Sequence, residues 1–116
     1  MNLFSIFSLF ILNFNSYNKC DCDKLIGLKE ANLVFHGKVT AINKIDEPFI
    51  KYEISVRISK KIKGNPNHKT IVINTSCLLT SCCGVEFEVG KKYIIFTFTR
   101  NDLIYTSNCT MTRELK

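Results

Sequence analysis

Histidine is scarce in this chain: only His36 and His68 occur in 116 residues. A nucleophilic enzyme needs a cysteine or serine beside a base and a group that orients it. His36 falls on the polar side of an alternating stretch and His68 in a turn near Pro66, and neither has a nucleophile as a sequence neighbour. Both read as exposed side chains, so an enzyme is not expected. Charge is missing from residues 1–16, MNLFSIFSLFILNFNS. A membrane crossing needs roughly 20 apolar residues, and this run is broken by Asn13, Asn15 and Ser16. Its length suits the apolar core of a signal peptide better than a first strand or buried helix. Internal repeats, low-complexity segments and a second domain are also lacking.

These absences define a small exported chain. Small residues are preferred just before a signal cleavage point, which places the cut after Ser16, with a cut as late as Lys19 exposing Cys20. Lipid attachment would need small residues ahead of the cysteine, and the YNK before Cys20 does not supply them. No membrane anchor is therefore expected. The protein is expected to be secreted and extracellular, or periplasmic in a bacterium, with residues 17–116 forming one domain.

What the mature part does contain is cysteine: Cys20, Cys22, Cys77, Cys82, Cys83 and Cys109. An even number in a small exported chain marks a disulfide framework, because an oxidising compartment forms the bridges and a small core benefits from them. Six cysteines allow fifteen pairings, and composition does not choose among them. The CDC at 20–22 leaves three options: a metal site, anchors for two separate disulfides, or a reactive pair. Zinc sites space paired ligands by two to four residues, so a one-residue gap and the vicinal Cys82-Cys83 suit zinc poorly. Neither an intrinsic metal nor any other cofactor is expected. Alternate positions of an extended segment point the same way, so CDC suits a strap clamped at two places.

The net charge of +6 is carried entirely by the mature part. It is compatible with acidic glycans, nucleic acid or anionic surfaces, but the lysines are scattered in sequence and read mainly as solvated surface. Binding of single-stranded nucleic acid needs exposed aromatics among basic residues. Phe35, Phe87, Tyr93 and Phe96 fall at expected core positions, leaving Phe49 and Phe98 as candidates for exposure. Nucleic acid is not an expected partner.

Alternation gives the architecture. In IKYEISVRIS, the residues Ile50, Tyr52, Ile54, Val56 and Ile58 share one face of a half-buried strand. Ahead of it, LVFHGKVTAI puts Leu33, Phe35, Val39 and Ala41 on one face, with Gly37 at a bend or bulge. The KGNPNH turn leads into KTIVINT as the third strand, KKYIIFTFT is the fourth, and the RND turn leads into LIYTS as the fifth. Leaving no room for crossover helices, this predicts an all-β fold with a short helix, a five-stranded antiparallel β-barrel, closed or nearly closed. DKLIGLKEAN is the predicted helix, with Asp23 as N-cap and Leu25, Ile26 and Leu28 facing inward. Asn74 to Ser76 forms a glycosylation sequon.

The order of these features resembles a known family. The CxC near the mature start, ANLVFHGKV, KGNPNHKTIVINT, CGVEFEVGKKYIIF and the closing YTSNCTMTREL are together similar to the netrin-like (NTR) domain. The nearest branch is the amino-terminal domain of the tissue inhibitors of metalloproteinases (TIMPs), over Cys20 to about Leu115. The resemblance implies an OB-type five-stranded barrel stapled by disulfides. It implies a bridge from Cys20 to Cys83, with Cys82 as the alternative partner, and one from Cys22 to Cys109. Cys77 and Cys82 are then left to close a small loop. It also implies a zinc metalloprotease as partner: the α-amine and carbonyl of Cys20 chelate the protease's catalytic zinc, and the Asp21 side chain enters its specificity pocket. The inhibitory ridge is then Cys20, Asp21 and Cys22. An extracellular binding module that keeps the fold but not the inhibition, with an acidic glycan or a protein as partner, is the second reading.

Overall fold

The computed structural model describes Cys22 and residues 24–116. Among these the regular structure is β-strand, apart from one 3₁₀ turn at Thr80–Cys82. The strands are β1 (Val34–Ile45), β2 (Lys51–Lys63), β3 (Thr70–Thr75), β4 (Lys92–Phe96), β5 (Phe98–Arg100), β6 (Leu103–Tyr105) and β7 (Arg113–Glu114). They form one sheet in the order β5-β6-β3-β2-β1-β4-β7. All neighbouring strands run antiparallel except β3 and β6, which meet in parallel at Asn74 and Tyr105.

The expected five-stranded closed barrel is therefore corrected on two points: the sheet has seven strands, and its ladder does not close. Both follow from one residue and one tail. The stretch 91–99, expected as a single strand, is interrupted at Thr97. This residue is fully buried. Its N–H donates to the Leu33 carbonyl (3.0 Å), and its carbonyl accepts from the Asn32 N–H (2.9 Å). β4 thus pairs with β1, whereas β5 pairs with β6. The Thr99 N–H, on β5, is taken by the Asn32 side-chain oxygen (2.8 Å). At the other margin Arg113–Glu114, not recognised as a strand in sequence, adds to β4.

The core lies on one face of β1, β2, β3 and β4. Phe35, Val39, Ile54, Val56, Ile73 and Ile95 are wholly buried, together with Val85, Phe87 and Tyr93. Phe96 is buried in a smaller cluster with Ala31 and Val34. Tyr52 and Ile58 pack at the rim of the core, but Ile50 precedes β2 and is exposed. Ala41 is exposed too, and Ile42 packs inward instead. A register shift between Val39 and Ala41 makes Thr40 an extra residue, and one extra residue exchanges the faces of a strand. Burial of Tyr93 leaves its hydroxyl satisfied: it accepts from the Glu88 N–H (2.8 Å) and donates to the Glu86 carbonyl (3.1 Å). The turn between β5 and β6 has Asn101 and Asp102 at positive φ, the pair of conformations that a two-residue hairpin loop needs.

The predicted helix is not formed. Residues 28–30 make one turn, closed by the Ala31 N–H on the Gly27 carbonyl (3.0 Å), and Leu25 and Leu28 are exposed. Its proposed cap, Asp23, lies outside the described residues. Ile26 is held extended instead, in a parallel bridge with Thr110.

Candidate functional site

The structural centre of the candidate site is the loop 106–112, which receives the amino-terminal strap. Three threonines of the loop, Thr106, Thr110 and Thr112, tie it together and to Phe96, and Thr97 next to Phe96 ties the start of β1. Thr106 donates its hydroxyl to the Phe96 carbonyl (2.9 Å) and lies within hydrogen-bond distance of the Thr110 (3.2 Å) and Thr112 (2.9 Å) hydroxyls. Thr112 accepts from the Phe96 N–H (2.9 Å), and Thr110 reaches the Ser107 carbonyl (2.8 Å). Thr97, outside this network, donates its hydroxyl to the Leu33 carbonyl (3.2 Å) and so fixes the chain entering β1. Thr97, Thr106 and Thr110 are buried, and satisfied buried hydroxyl networks impose one arrangement where apolar packing tolerates several.

Onto this loop the strap is fastened three times. Cys22 is disulfide-bonded to Cys109, with Cα atoms 5.6 Å apart. The Ile26 N–H donates to the Cys109 carbonyl (2.8 Å), and the Met111 N–H donates to the Ile26 carbonyl (3.0 Å). Gly27 packs beside Met111, where an added Cβ would lie 3.0 Å from the sulfur. The Glu30 carboxylate, fully exposed, accepts from the Gly27 N–H (3.1 Å), which holds its pKa below the ordinary glutamate value.

The second wall of the site is the cysteine loop 77–84. Cys77 is bonded to Cys82 across five positions, so Cys82 is not available to Cys20. Cys83 is also disulfide-bonded, and Cys20 lies outside the described residues. Cys83 sits at φ 73°, in the left-handed region that costs a non-glycine residue about 1 kcal/mol. Gly84 follows it because a Cβ there would overlap the Cys77 carbonyl oxygen. The loop is tied to the strap's landing platform by Asn108, whose N–H donates to the Cys83 carbonyl (3.0 Å) and whose amide nitrogen donates to the Thr80 carbonyl (2.9 Å).

Two depressions of about 350 and 450 Å³ share Phe98, Arg100 and Ser107, and the second is lined by Cys22 and Ile26 of the strap. Phe98 stacks on Tyr105 with ring centroids 6.0 Å apart, and the Arg100 guanidinium lies 5.6 Å over the Phe98 ring. Phe49 stands exposed at the rim. Sequence reasoning missed both this cation and the threonine network, although TSNCTMT is dense in hydroxyls for an end segment.

Of the ridge residues, Cys22 is placed by its bridge, whereas Cys20 and Asp21 lie outside the described residues, as does the leader 1–16. His36 is half-buried on β1, and His68 is exposed in the turn after β2. Among the described residues no three His, Cys, Asp or Glu side chains gather as a metal site, and no helix is long and apolar enough to cross a membrane. The sequon does not present its amide: Asn74 is buried, and its nitrogen donates to the Ile104 carbonyl (3.0 Å).

The chain matches no protein-family model and no curated protein.

Proposed function

We propose that the protein is a secreted, TIMP-like inhibitor of zinc metalloproteases that presents its amino terminus as a rigid wedge. The observation that carries this reading is the fastening of Cys22 and Ile26 to the loop 106–112 by one disulfide and two backbone hydrogen bonds. A wedge ordered before it meets its target loses little conformational freedom on binding. Cys20 and Asp21 directly precede the fixed Cys22 in sequence, and their proposed roles are those that the family resemblance implies. The α-amine and carbonyl of Cys20 chelate the target's zinc, displacing the water that the metal would activate. The inhibitory form accordingly begins at Cys20, because an amide nitrogen is a poor zinc ligand. Asp21 brings a carboxylate to the specificity pocket, and burying it unpaired would cost several kcal/mol. The target's pocket is therefore basic.

The test compares two disulfide-intact chains, one beginning at Cys20 and one at Tyr17, in titrations against a panel of metalloproteases. Inhibition by the first and its loss by at least 100-fold in the second is the expected result. Equal behaviour of both would remove zinc chelation from the account.

A further inference from the structure

The depression of about 350 Å³ is built from three distant pieces of chain. Phe49 and Ile50 come from the connection between β1 and β2, Phe98 from β5 and Tyr105 from β6. Phe49 and Ile50 are 76% and 59% exposed, so one wall is large apolar surface left in water. Two cations, Lys51 and Arg100, line the same depression, and among the described residues no Asp or Glu does. Neither cation takes part in the three ion pairs found among the described residues. The Arg100 guanidinium is held over the Phe98 ring, which itself stacks on Tyr105. The depression lined by Leu33, Ile71 and Ile104 also has apolar walls, but no Lys or Arg reaches it.

Cations set among apolar walls are complementary to a molecule that is divided in the same way, with an apolar body and one anionic end. We infer that this depression binds an amphipathic monocarboxylate, its apolar body against Phe49, Ile50 and Phe98 and its carboxylate on Arg100. Each half of the site excludes a class of ligand. Inorganic anions and polyanions would leave Phe49 and Ile50 in water and would lose hydration against apolar walls. Neutral apolar molecules would leave the guanidinium without a partner, whereas its planar fork takes both oxygens of a carboxylate. Lys51 adds positive charge to the same walls. The volume lies near the lower end of the range for small-molecule sites, roughly 300–1,000 Å³, and suits one chain rather than the two of a phospholipid. Zinc chelation plays no part in this site, and the inference does not depend on protease inhibition.

The probe is decanoate, titrated by calorimetry into the full disulfide-bonded chain at concentrations below those at which it forms micelles. Saturable binding is expected, with acetate and decanol each roughly tenfold weaker or worse, because each lacks one half of the ligand. R100Q is expected to weaken decanoate by about tenfold or more while leaving decanol unchanged. F49S removes apolar wall and is expected to weaken decanoate and decanol alike, by about fivefold. K116Q removes a cation that does not line the depression, and is expected to change decanoate affinity by less than about twofold. R100K keeps the charge but loses the fork; its affinity should fall between those of the parent and R100Q, an order that a folding defect would not produce. No saturable binding by the parent chain, equal affinity for decanoate and either acetate or decanol, or equal losses in R100Q and K116Q would each overturn the inference.

Discussion

The two ends of this molecule are stabilised by different physics. At the sheet end, Phe35, Val39, Ile54, Val56, Ile73 and Ile95 exclude water completely and the polar backbone is satisfied by strand pairing. At the strap end, short segments that cannot bury much apolar surface are held by disulfides and by threonine hydroxyls. The first arrangement gives cohesion, and the second gives a fixed position to Cys22 and Ile26. A binding edge needs the second, because its atoms must sit in place while staying accessible.

Damage to each end should therefore look different. Phe35→Ala is expected to cost about 3–5 kcal/mol of unfolding free energy, lowering amide-exchange protection throughout β1 to β4. Replacing Cys22 and Cys109 together by serine should cost about 4–5 kcal/mol, since their sequence separation of 87 makes the constraint on the unfolded chain large. Its exchange signature should nevertheless be local, with the Ile26 and Met111 amides losing protection ahead of the β1 and β2 amides. Uniform loss in both variants would erase the contrast.

Smaller changes sharpen it. Removing the Cys77–Cys82 bridge, which closes a loop of only a few residues, should lower chemical-denaturation stability by about 2 kcal/mol, well below the Cys22–Cys109 effect. Thr106→Val keeps the shape of the buried side chain but strips the Phe96 carbonyl, Thr110 and Thr112 of a shared partner. A loss of about 1–3 kcal/mol is expected in the same denaturation experiment, with exchange accelerated at Cys109 to Thr112.

The smallest expected effects are those of pH, and they too divide between the ends. Burial raises the pKa of Tyr93 at the sheet end, so its contribution is complete below the ordinary tyrosine value and is lost as pH rises through the folded value. Stability should thus fall above about pH 10, and Tyr93→Phe should flatten that limb. Glu30 at the strap end has the opposite sign. The Gly27 N–H lowers its pKa, so its contribution is present above the ordinary glutamate value and fades as pH falls through the lower folded value. Glu30→Gln should flatten the acid limb of the stability profile.

Local alternation made the sheet end legible. Ile54, Val56, Phe35 and Val39 obey a period of two and are buried as predicted, as are Phe87, Tyr93 and Phe96. Alternation failed where an extra residue or a long-range bond intervenes: at Thr40, which turns Ala41 outward, and at Thr97, which divides a uniformly β-prone stretch in two. The helix expected over 23–32 failed for a similar reason. Its apolar spacing was compatible with helix, but the Ile26 pairing with Thr110, 84 positions away, keeps the backbone extended. The bridge Cys22–Cys109 is the pairing that the resemblance implies, and Cys77–Cys82 joins the two cysteines it left over, whereas cysteine spacing alone left every pairing open. The threonine network and the depression at Arg100 depend on contact between distant segments, and local pattern carries no record of that.

The most direct measurement is inhibition of a zinc metalloprotease by the Cys20-initiated chain before and after acetylation of its α-amine. Acetylation leaves the core, the bridges and the threonine network in place and removes only the nitrogen's capacity to bind zinc. Inhibition that is abolished while the denaturation midpoint is unchanged is the predicted result. Inhibition that survives acetylation would contradict the proposed wedge.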